Sequence, residues 1–598
     1  MSFLAELRKR KVFQVAIGYL AVAWLLVQVT ATILPAFDLP VWALRLVVLL
    51  FALGFPIAML MAWALELTPE GVKLDVGTSG GKGMLAIAAV LMAVALGWFF
   101  RGHVLPTQHV AQAATAGAAS TQPKADERSI AVLPLINASN DPEQQFFSDG
   151  LSENLIDTLS RFDGLKVIGR MSSFRFRGDK GDSAAIGRKL GAAYLLGGSV
   201  QRAGNLVRIS ASLIRAADGS TLWAEHYDRP YKNLFTLQDE IAQAVAGALQ
   251  VKLLSPEAAA KQDDRPPSGN IEAYNAYLKG MTYWHDQDFP EAAKYMAKAV
   301  ELDPGYAVAW ARLSESWSTV ATFVNEPPEL AREQLHKARL AVDKALQLAP
   351  GLGPAHTARA ALLFYSFDSR GALAECRRAV QLAPEDGMAL NSCGYVLAGI
   401  GKVGEAIRLR EHLLSIEPLY NANYFEYATL LMATGRLDEA ERYLRIAEGL
   451  SKPYPYGHMV VAMLRGDVDA ALKIARQVPA DFRGLDMALA AQIGPDRAAA
   501  DTALATALQV KTSVRSRSFL IAQMYALRGD AGHSVEWLER ASVPDMLFML
   551  TDPFILRLRD DPRFIAFCKK IGLPPPGESE ALGIDQIRAL SSNRQARS

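Results

Sequence analysis

Cysteine is scarce in this sequence, with three residues in 598. Cys376 and Cys393 are spaced so that they could meet across neighbouring helices, which would leave Cys568 unpaired. Each of the three is equally well interpreted as a small buried hydrophobic residue. The spacing indicates neither a disulfide framework nor a redox compartment. At the level of the sequence, a disulfide between Cys376 and Cys393 therefore stays an open alternative.

An excess of either charge is also missing. The chain carries 63 Lys and Arg against 62 Asp and Glu, a net charge of +1. Nucleic-acid-binding domains usually carry a strong excess of basic residues. We therefore predict no nucleic-acid partner. A chain of 598 residues is also too long for one hydrophobic core, so several domains are expected.

Recognisable catalytic motifs are absent as well. The sequence contains no HExxH, no GxSxG, no CxxC pair and no Rossmann fingerprint, and its nine histidines show no metal-ligand spacing. Residues 77–83 (GTSGGKG) suggest a phosphate loop, but no Ser or Thr follows the Gly-Lys pair and no strand precedes it. They are interpreted as a flexible turn. The prediction is a protein that is not an enzyme and has no cofactor and no metal.

What the chain does contain is a repeat. Pro350, Pro384 and Pro418 are 34 residues apart, and so are Gly401 and Gly435. A fixed period of this length is typical of a stacked supersecondary unit. Such arrays present a surface rather than enclose a catalytic pocket, so the pattern favours binding as the function.

Small residues recur in register with the prolines. Two alanines at a spacing of seven precede each proline, with Leu413 in place of the second in the fourth unit. Small side chains let two helices approach closely, and proline ends the second helix because it has no N–H. The alternative is an ordinary helical bundle with coincidental spacing. The registered alanines are Ala292, Ala299, Ala338, Ala345, Ala372, Ala379, Ala406, Ala440 and Ala447.

This pattern resembles the tetratricopeptide repeat, a helix–turn–helix unit. Five good units cover about 271–453, repeats extend to 479, and degenerate helical repeats with a cap occupy 480–575. Residues 576–598 are predicted to be a disordered tail. In arrays of this kind the first helices line a groove, where large aromatic side chains are well suited to bind a protein or peptide. Each candidate could instead pack between helices. The predicted groove residues are Tyr277, Trp284, Phe364, Asn391, Tyr395 and Phe425.

The first hundred residues are strongly apolar. Two runs at about 12–34 and 41–65 are long enough to span a bilayer, and a third at 84–100 is at the short limit. We therefore predict a membrane domain over 1–103 with three transmembrane helices. The basic stretch at 8–11 predicts a cytoplasmic N-terminus.

An odd number of crossings puts the rest of the chain outside the inner membrane of a bacterium, in the periplasm. Without the third span, the large domain would instead be cytoplasmic. An Ala-rich linker at 104–128 follows the apolar segment, and a second linker is expected at 254–270.

A middle domain is predicted over 129–253. A short apolar run at 130–135 indicates a buried strand, and helical and alternating segments follow it. Gly204-Asn205 and Asp218-Gly219 supply hairpin turns. The predicted order is βαβαβββα, an α+β domain. The fold class is thus multi-domain: a transmembrane α-helical N-terminus, an α+β middle domain and an all-α tetratricopeptide solenoid.

The middle segment resembles TolB-N-terminal or FlgO-like domains. The resemblance is carried by SIAVLPLINASNDPEQQFFSDGLSENLIDTLSRFDGLKVIGRMSSFRF and by IGRKLGAAYLLGGSVQRAGNLVRISASLI. The N-terminal FLAELRKRKVFQVAIGYLAVAWLLVQV and LELTPEGVK are similar to the membrane-anchored variant of that architecture. Members of this group also carry cyclase or winged-helix domains. The resemblance implies an envelope-associated module in front of tetratricopeptide repeats.

Two charged clusters in the middle domain are candidates for chemistry. Asp141, Glu143, Asp149 and Glu153 could hold a cation or perform acid–base work, but equally suit the start of a solvated helix. A basic patch with interleaved aromatics could bind phosphate or nucleic acid, but an alternating edge strand is the alternative. That patch is Arg170, Phe174, Arg175, Phe176 and Arg177.

The sequence therefore predicts an inner-membrane-anchored periplasmic scaffold or sensor that binds protein or peptide partners of the cell envelope. The alternative is a regulatory component of a cyclase-like or transcriptional signalling system that passes a periplasmic signal through its membrane helices. The partner, the signal and homo-oligomerisation are left open.

Overall fold

The structure is a computed structural model, and it divides into two compact units, residues 1–122 and 123–598. Each unit is described by itself. The described residues are 19, 22–24, 26, 51, 54–55, 65–68, 71–74, 126–139, 141–179, 181–253, 264–324, 327–451, 453, 455–510 and 517–595.

The described part of the first unit is small. Strands β1 (Leu65–Thr68) and β2 (Gly71–Leu74) form an antiparallel pair. The Tyr19 hydroxyl donates to the carbonyl oxygen of Phe51 at 2.9 Å. None of the helices built from described residues has the length and apolar content needed to cross a bilayer. The predicted spans at 12–34, 41–65 and 84–100 lie almost entirely outside the described residues.

The second unit begins with a domain that we call the sheet domain, residues 126–253. Its main elements follow the predicted order βαβαβββα, and its sheet is mixed, with strand order β6-β3-β7-β8-β9 and β4 beside β7. The elements are β3 (Asp126–Val132), β4 (Ile136–Asn137), α1 (Gln145–Leu159), β5 (Phe162–Asp163), β6 (Lys166–Ile168), α2 (Arg170–Ser173), α3 (Ser183–Leu190), β7 (Ala192–Ala203), β8 (Leu206–Arg215), β9 (Thr221–Pro230), α4 (Leu234–Ala248) and β10 (Lys252–Leu253).

Strand β3 lies parallel to both β6 and β7, whereas β7, β8 and β9 are antiparallel. Ile130 and Val132 belong to the core under α1 and α4, while Ala131 belongs to a separate cluster with α3. All three are 0% exposed. A strand covered on both faces reads as a continuous apolar run, which is the signal found in the sequence. The Gly204-Asn205 turn joins β7 to β8 as predicted, with Gly204 at φ +58°.

A solenoid of helices follows the sheet domain, and its first five helix pairs lie where the sequence predicts five helix–turn–helix repeats. Their bounds are α5 (Ile271–His285) with α6 (Phe289–Leu302), α7 (Ala307–Phe323) with α8 (Pro328–Leu348), α9 (Gly353–Tyr365) with α10 (Ser369–Leu382), α11 (Gly387–Gly399) with α12 (Val403–Ile416), and α13 (Asn421–Ala433) with α14 (Leu437–Leu450). Shorter pairs continue the stack: α15 (Pro455–Arg465) with α16 (Val468–Ala475), α17 (Ala480–Ala491) with α18 (Arg497–Gln509), and α19 (Arg517–Leu527) with α20 (Ala531–Leu538).

The repeat residues do what their spacing predicts. Every registered alanine is 0% exposed, and Leu413 is 1% exposed. Gly401 and Gly435 turn the chain between paired helices with φ of +81° and +72°. In other pairs Gln287 and Phe367 take the same left-handed conformation at the same place. The turn geometry therefore belongs to the repeat, and glycine relieves its strain where it occurs.

Cys376 and Cys393 do meet across neighbouring helices. Both are buried free thiols, and the Cys393 Sγ lies 3.7 Å from the carbonyl oxygen of Cys376. Burial raises the pKa of the Cys376 thiol well above its ordinary value. Cys568 is also a buried free thiol.

A C-terminal segment, residues 543–595, folds back on the repeats. It contains α21 (Val543–Met546), α22 (Pro562–Ile571) and α23 (Ile584–Gln595). The sequence predicts a disordered tail from 576, but the structure has a helix there. Its Ile584 and Ile587 are almost fully buried in the core of α13–α19. The residues around Ile584 and Ile587 are mostly polar, so their neighbourhood in the sequence shows no sign of burial. These two side chains are buried only because they contact helices that are distant in the sequence.

Candidate functional site

The sheet domain packs against the first repeat through α1 and α4. Gly150 of α1 sits so close to Leu278 of α5 that an added Cβ would lie 2.5 Å from the leucine side chain. The Tyr231 hydroxyl donates to Asn275 Oδ1 at 2.5 Å. Buried residues of both domains form one continuous core at this joint. The sheet domain and the first repeat are therefore held together by apolar packing.

A second contact joins the sheet domain to the fourth repeat. The Glu417 carboxylate, 5% exposed, accepts from the backbone N–H of Met171 at 3.0 Å and of Ser172 at 2.7 Å. The Gly169 N–H donates to the Ile416 carbonyl at 2.8 Å. The Arg175 guanidinium also donates to two carbonyls of the solenoid at 3.1 and 2.8 Å. This joint consists of hydrogen bonds rather than a large apolar contact.

Glu417 is the most deeply buried charge of this joint. Burial raises its pKa to about 7, although the hydrogen bonds from Ser172 and Met171 oppose the shift. The carboxyl thus titrates near neutral pH in the docked structure. The repeat pattern does not mark Glu417 as a contact residue, because the position after the second helix varies between repeats: the residues directly before Pro304, Pro350 and Pro384 are Asp303, Ala349 and Ala383.

Between these two joints a cavity of about 380 Å³ remains. The sheet domain contributes one wall with α1 and α2, and the repeats contribute the other, mainly through their first helices α5, α7 and α11. A volume of this size is within the range of small-ligand pockets. We call it the joint cavity.

Two carboxylates of the acidic cluster, Asp149 and Glu153, pair with two arginines of the basic patch, Arg177 and Arg170. Glu153 lies 3.2 Å from Arg170 and 3.1 Å from His285 of α5, and Asp149 forms a bidentate pair with Arg177 at 2.8 Å. Burial opposes ionisation of Glu153, but His285 and Arg170 outweigh it and lower its pKa to about 2. These charges therefore serve docking and packing. The edge-strand alternative for the basic patch is wrong, because residues 170–176 form two short helical turns.

Asp157 faces the joint cavity one helical turn after Glu153. Its side chain is exposed. Neither a hydrogen bond nor an ion pair engages this carboxylate within the part of the chain that the structure describes. Burial and the neighbouring charges of Asp264 and Glu153 raise its pKa well above the ordinary value.

Three of the six predicted groove residues line the joint cavity. Tyr277 is 3% exposed, and Trp284 and Asn391 are half-buried. Trp284 packs edge-on against Phe289 at 5.1 Å between ring centroids. Asn391 accepts from the Arg410 guanidinium at 2.6 Å, which holds its amide in place.

The other three predicted groove residues face the C-terminal segment. Phe364 is 0% exposed, and Tyr395 lies edge-on to Phe548 at 4.4 Å between centroids. Phe425 lines a smaller cavity of about 200 Å³ together with Phe548 and Phe554. The structure thus divides the predicted groove between two neighbours of the same chain.

Arg410 is a buried residue that sequence reasoning missed. It is 1% exposed and contacts Asn391, Asn423 and Glu426. Gly394 provides the room, since an added Cβ there would lie 3.0 Å from Arg410 Nε. A signal did exist: Arg410 stands three residues before Leu413, where the other four units have apolar residues. Those residues are Met296, Val342, Cys376 and Leu444.

Comparisons with known proteins match this division of the chain. Residues 126–244, almost the whole sheet domain, match the family described as HilA/YgeH-like transcriptional regulator, second domain. Residues 273–306 match the tetratricopeptide repeat family. The chain therefore contains tetratricopeptide repeats. The finer resemblance of the sheet domain to TolB-N-terminal or FlgO-like domains stays a prediction.

One curated relative is the protein called putative adenylate cyclase 3 of Rhizobium meliloti strain 1021. It is 38% identical over 224 residues, which cover 36% of this chain and 37% of the relative. The match thus spans little more than a third of that protein's length.

Among solved structures, PilF of Pseudomonas aeruginosa is similar at 21% identity, covering 40% of this chain and 99% of PilF, with a TM-score of 0.28. YrrB, described as a TPR protein with an unusual peptide-binding site, is similar at 20% identity, covering 33% of this chain and 93% of YrrB, with a TM-score of 0.23. Both TM-scores are below 0.5, so neither structure bears on the function of this chain.

Proposed function

We propose that this protein is a membrane-anchored scaffold or sensor that binds protein or peptide partners through its tetratricopeptide array. The observation that carries the proposal is the joint cavity, where the first helices of the array remain uncovered between two domain contacts. First helices are where tetratricopeptide arrays present side chains to partners, and Trp284 offers a large apolar surface with an indole N–H donor there.

The binding proposal is tested by site-specific photocrosslinking in the full-length chain. A photoreactive residue at Trp284 or Asn391 should yield the same discrete adduct, because both positions line one cavity. Leu340, which is 58% exposed on α8, serves as the matched control. The same adducts at Leu340, or none at the two cavity positions, would contradict the proposal.

We further propose that the large unit lies in the periplasm, on the far side of three spans at 12–34, 41–65 and 84–100. The support is the apolar composition of these segments and the basic stretch at 8–11. Alkaline phosphatase fused after Phe100 should be active in cells. An inactive fusion there, with an active one between the first two spans, would instead favour a cytoplasmic location.

A second candidate function is regulatory. The match of residues 126–244 to a domain of a transcriptional regulator, and the 224-residue match to a putative adenylate cyclase, both favour a role in signalling. Purified full-length protein that converts ATP or GTP to a cyclic nucleotide would contradict the prediction that this protein is not an enzyme. Without such turnover, the regulatory role would have to act through a partner.

A further inference from the structure

The sheet domain and the first four repeats form a closed ring. The sheet domain is joined to the first repeat by a continuous apolar core and to the fourth repeat by the contact around Glu417. The joint cavity lies between these two contacts, with the first helices α5, α7 and α11 on one side. The sheet domain therefore covers the helices that arrays of this kind present to partners.

The joint cavity is small for the partners that the proposed function requires. Its volume is about 380 Å³, which suits a small ligand. Two turns of a peptide helix are about 10 Å wide and about 11 Å long, and they need considerably more space. A helical partner that contacts Trp284 and Asn391 therefore requires the ring to open.

The contact at the first repeat is not suited to opening. Tyr274 and Leu278 of α5 belong to the same hydrophobic core as Leu151 and Leu155 of α1. All four side chains are at most 4% exposed. Separating the two helices would bring this apolar surface into water, which is strongly unfavourable. We therefore expect the sheet domain and the first repeat to move as one body.

The contact at the fourth repeat consists mainly of bonds that water can replace. Glu417 accepts from the backbone N–H groups of Met171 and Ser172, and the Leu419 N–H donates to the Ser172 hydroxyl oxygen at 3.0 Å. Leu419 adds a half-buried apolar side chain, packed against the core cluster that contains Ile168. Because the released donors and acceptors can bond to water, such a contact contributes less net stability than the apolar joint. It is therefore the weaker of the two contacts that close the ring.

The repeat array can supply the motion that opening needs. Each repeat of such a solenoid contacts mainly its neighbours, so small rotations between successive repeats add up along the stack. Two further repeats, α7 with α8 and α9 with α10, lie between the first repeat and the fourth. The fourth repeat can therefore move away from the sheet domain while the apolar joint and each single repeat stay intact.

Gly169 shows how closely the sheet domain fits the fourth repeat. An added Cβ at this residue would overlap the Glu417 carboxylate, and the Gly169 N–H donates to the Ile416 carbonyl oxygen at 2.8 Å. The backbone of Gly169 is extended, with φ −72° and ψ 169°, a conformation that any residue adopts. A side chain at this position would therefore disturb the contact with the fourth repeat without straining the backbone of the sheet domain.

We propose that this contact, formed by residues 169–172 and 416–419, is a clasp that closes the ring over the first helices, so that the sheet domain is autoinhibitory. When the clasp opens, the joint cavity becomes a groove that a protein or peptide can enter. The identity of what enters rests on the proposed function. The opening is a property of this chain alone, so it can be measured without a partner.

Opening is measured as the distance between two spin labels in the full-length protein. Arg188→Cys on α3 and Ser415→Cys on α12 place exposed labels on the two sides of the clasp. The native thiols are at most 1% exposed, so they should take no label. A second pair, Arg188→Cys with Lys298→Cys on α6, reports on the two parts that should move as one body.

Gly169→Ala should raise the ratio of long to short distances in the first pair at least about tenfold, as the loss of roughly one hydrogen bond to a charged group would. Glu417→Ala, which removes the acceptor, should have the same effect, and the second pair should not change in either variant. Gly197→Ala is the matched control, because an added Cβ there has open space around it. Distances in Gly169→Ala and Glu417→Ala equal to those of Gly197→Ala, or a change in the second pair, would overturn the proposal.

The autoinhibitory role is tested by photocrosslinking at Trp284. The adduct yield should rise severalfold in Gly169→Ala and stay at the wild-type level in Gly197→Ala. Longer label distances with an unchanged adduct yield would show that the clasp does not control access, and would overturn the proposal. Longer distances without an adduct in any variant would support the clasp and contradict the scaffold function, so the two failures are distinguishable.

Discussion

The two neighbours that cover the solenoid differ in the physics of their contacts. The sheet domain reaches the fourth repeat through hydrogen bonds around Glu417 and leaves a cavity of about 380 Å³ lined by carboxylates. The C-terminal segment reaches the third to fifth repeats mainly through aromatic and aliphatic packing, with Phe548 against Tyr395 and a cavity of about 200 Å³.

This difference separates two functions of one array. Apolar packing excludes water and gains stability from buried area, so the C-terminal segment acts as a structural cap. Hydrogen bonds around a buried carboxylate contribute less net stability and respond to pH, so the joint of the sheet domain to the fourth repeat is the one that conditions can weaken. The predictions below test this contrast.

The largest effect on stability is expected in the C-terminal segment, which contacts the repeats mainly by apolar packing. Leu547→Ala should lower the free energy of unfolding by about 3 kcal/mol, because the side chain is 0% exposed and its removal leaves a cavity. Urea denaturation of the full-length protein measures the change. Leu590→Ala, in the same segment but 42% exposed, should change stability by less than about 0.5 kcal/mol. Equal effects of the two substitutions would contradict the packing of this cap.

A smaller, pH-dependent effect is expected at Glu417. Its pKa is raised from an ordinary 4.5 to about 7, so the docked state binds the proton more tightly. The stability gained this way is complete below about pH 4.5 and is lost as the pH rises to about 7. Between about pH 5 and about pH 8, the free energy of unfolding of the wild type should fall by roughly 2 kcal/mol more than that of Glu417→Gln, because the glutamine cannot titrate.

The comparison between wild type and Glu417→Gln isolates this carboxyl. Burial also raises the pKa of Asp486 and Asp552, to about 7 and about 6, but both proteins retain those groups. Urea midpoints at the two pH values supply the measurement. Parallel pH profiles would show that the Glu417 contact does not contribute to stability in solution.

The smallest effect is expected at Arg175. Its two hydrogen bonds to the Leu419 and Leu450 carbonyls are exposed to solvent, so Arg175→Ala should cost only about 1 kcal/mol. The loss should appear as faster amide exchange at Met171 and Ser172. Arg188→Ala, an exposed arginine elsewhere in the sheet domain, should leave that exchange unchanged. Slower exchange of the Met171 and Ser172 amides in Arg175→Ala would contradict the hydrogen-bonded contact between the sheet domain and the fourth repeat.

The repeats were predictable because their determinants are local. Proline ends a helix and alanine lets two helices approach whatever the rest of the chain does, and the interval of 34 residues exposes both. The helix at Ile584–Gln595 was not predictable, because its apolar residues have a surface to pack against only when α13–α19 are assembled. Arg410 occupies a repeat position at which the other four units have an apolar residue. Its burial could not be predicted, because it depends on the space left by Gly394 on another helix.

By itself the sequence determined the helix pairs, the order of elements in the sheet domain and the identity of the aromatic residues on the first helices. The tertiary structure decided what those residues face. Tyr277, Trp284 and Asn391 border a charged cavity, whereas Phe364, Tyr395 and Phe425 lie under the C-terminal segment. The reason is the sequence distance over which each effect acts. Helix and turn preferences act within a few residues, whereas a tertiary contact such as that between Glu417 and Met171 joins residues 246 positions apart.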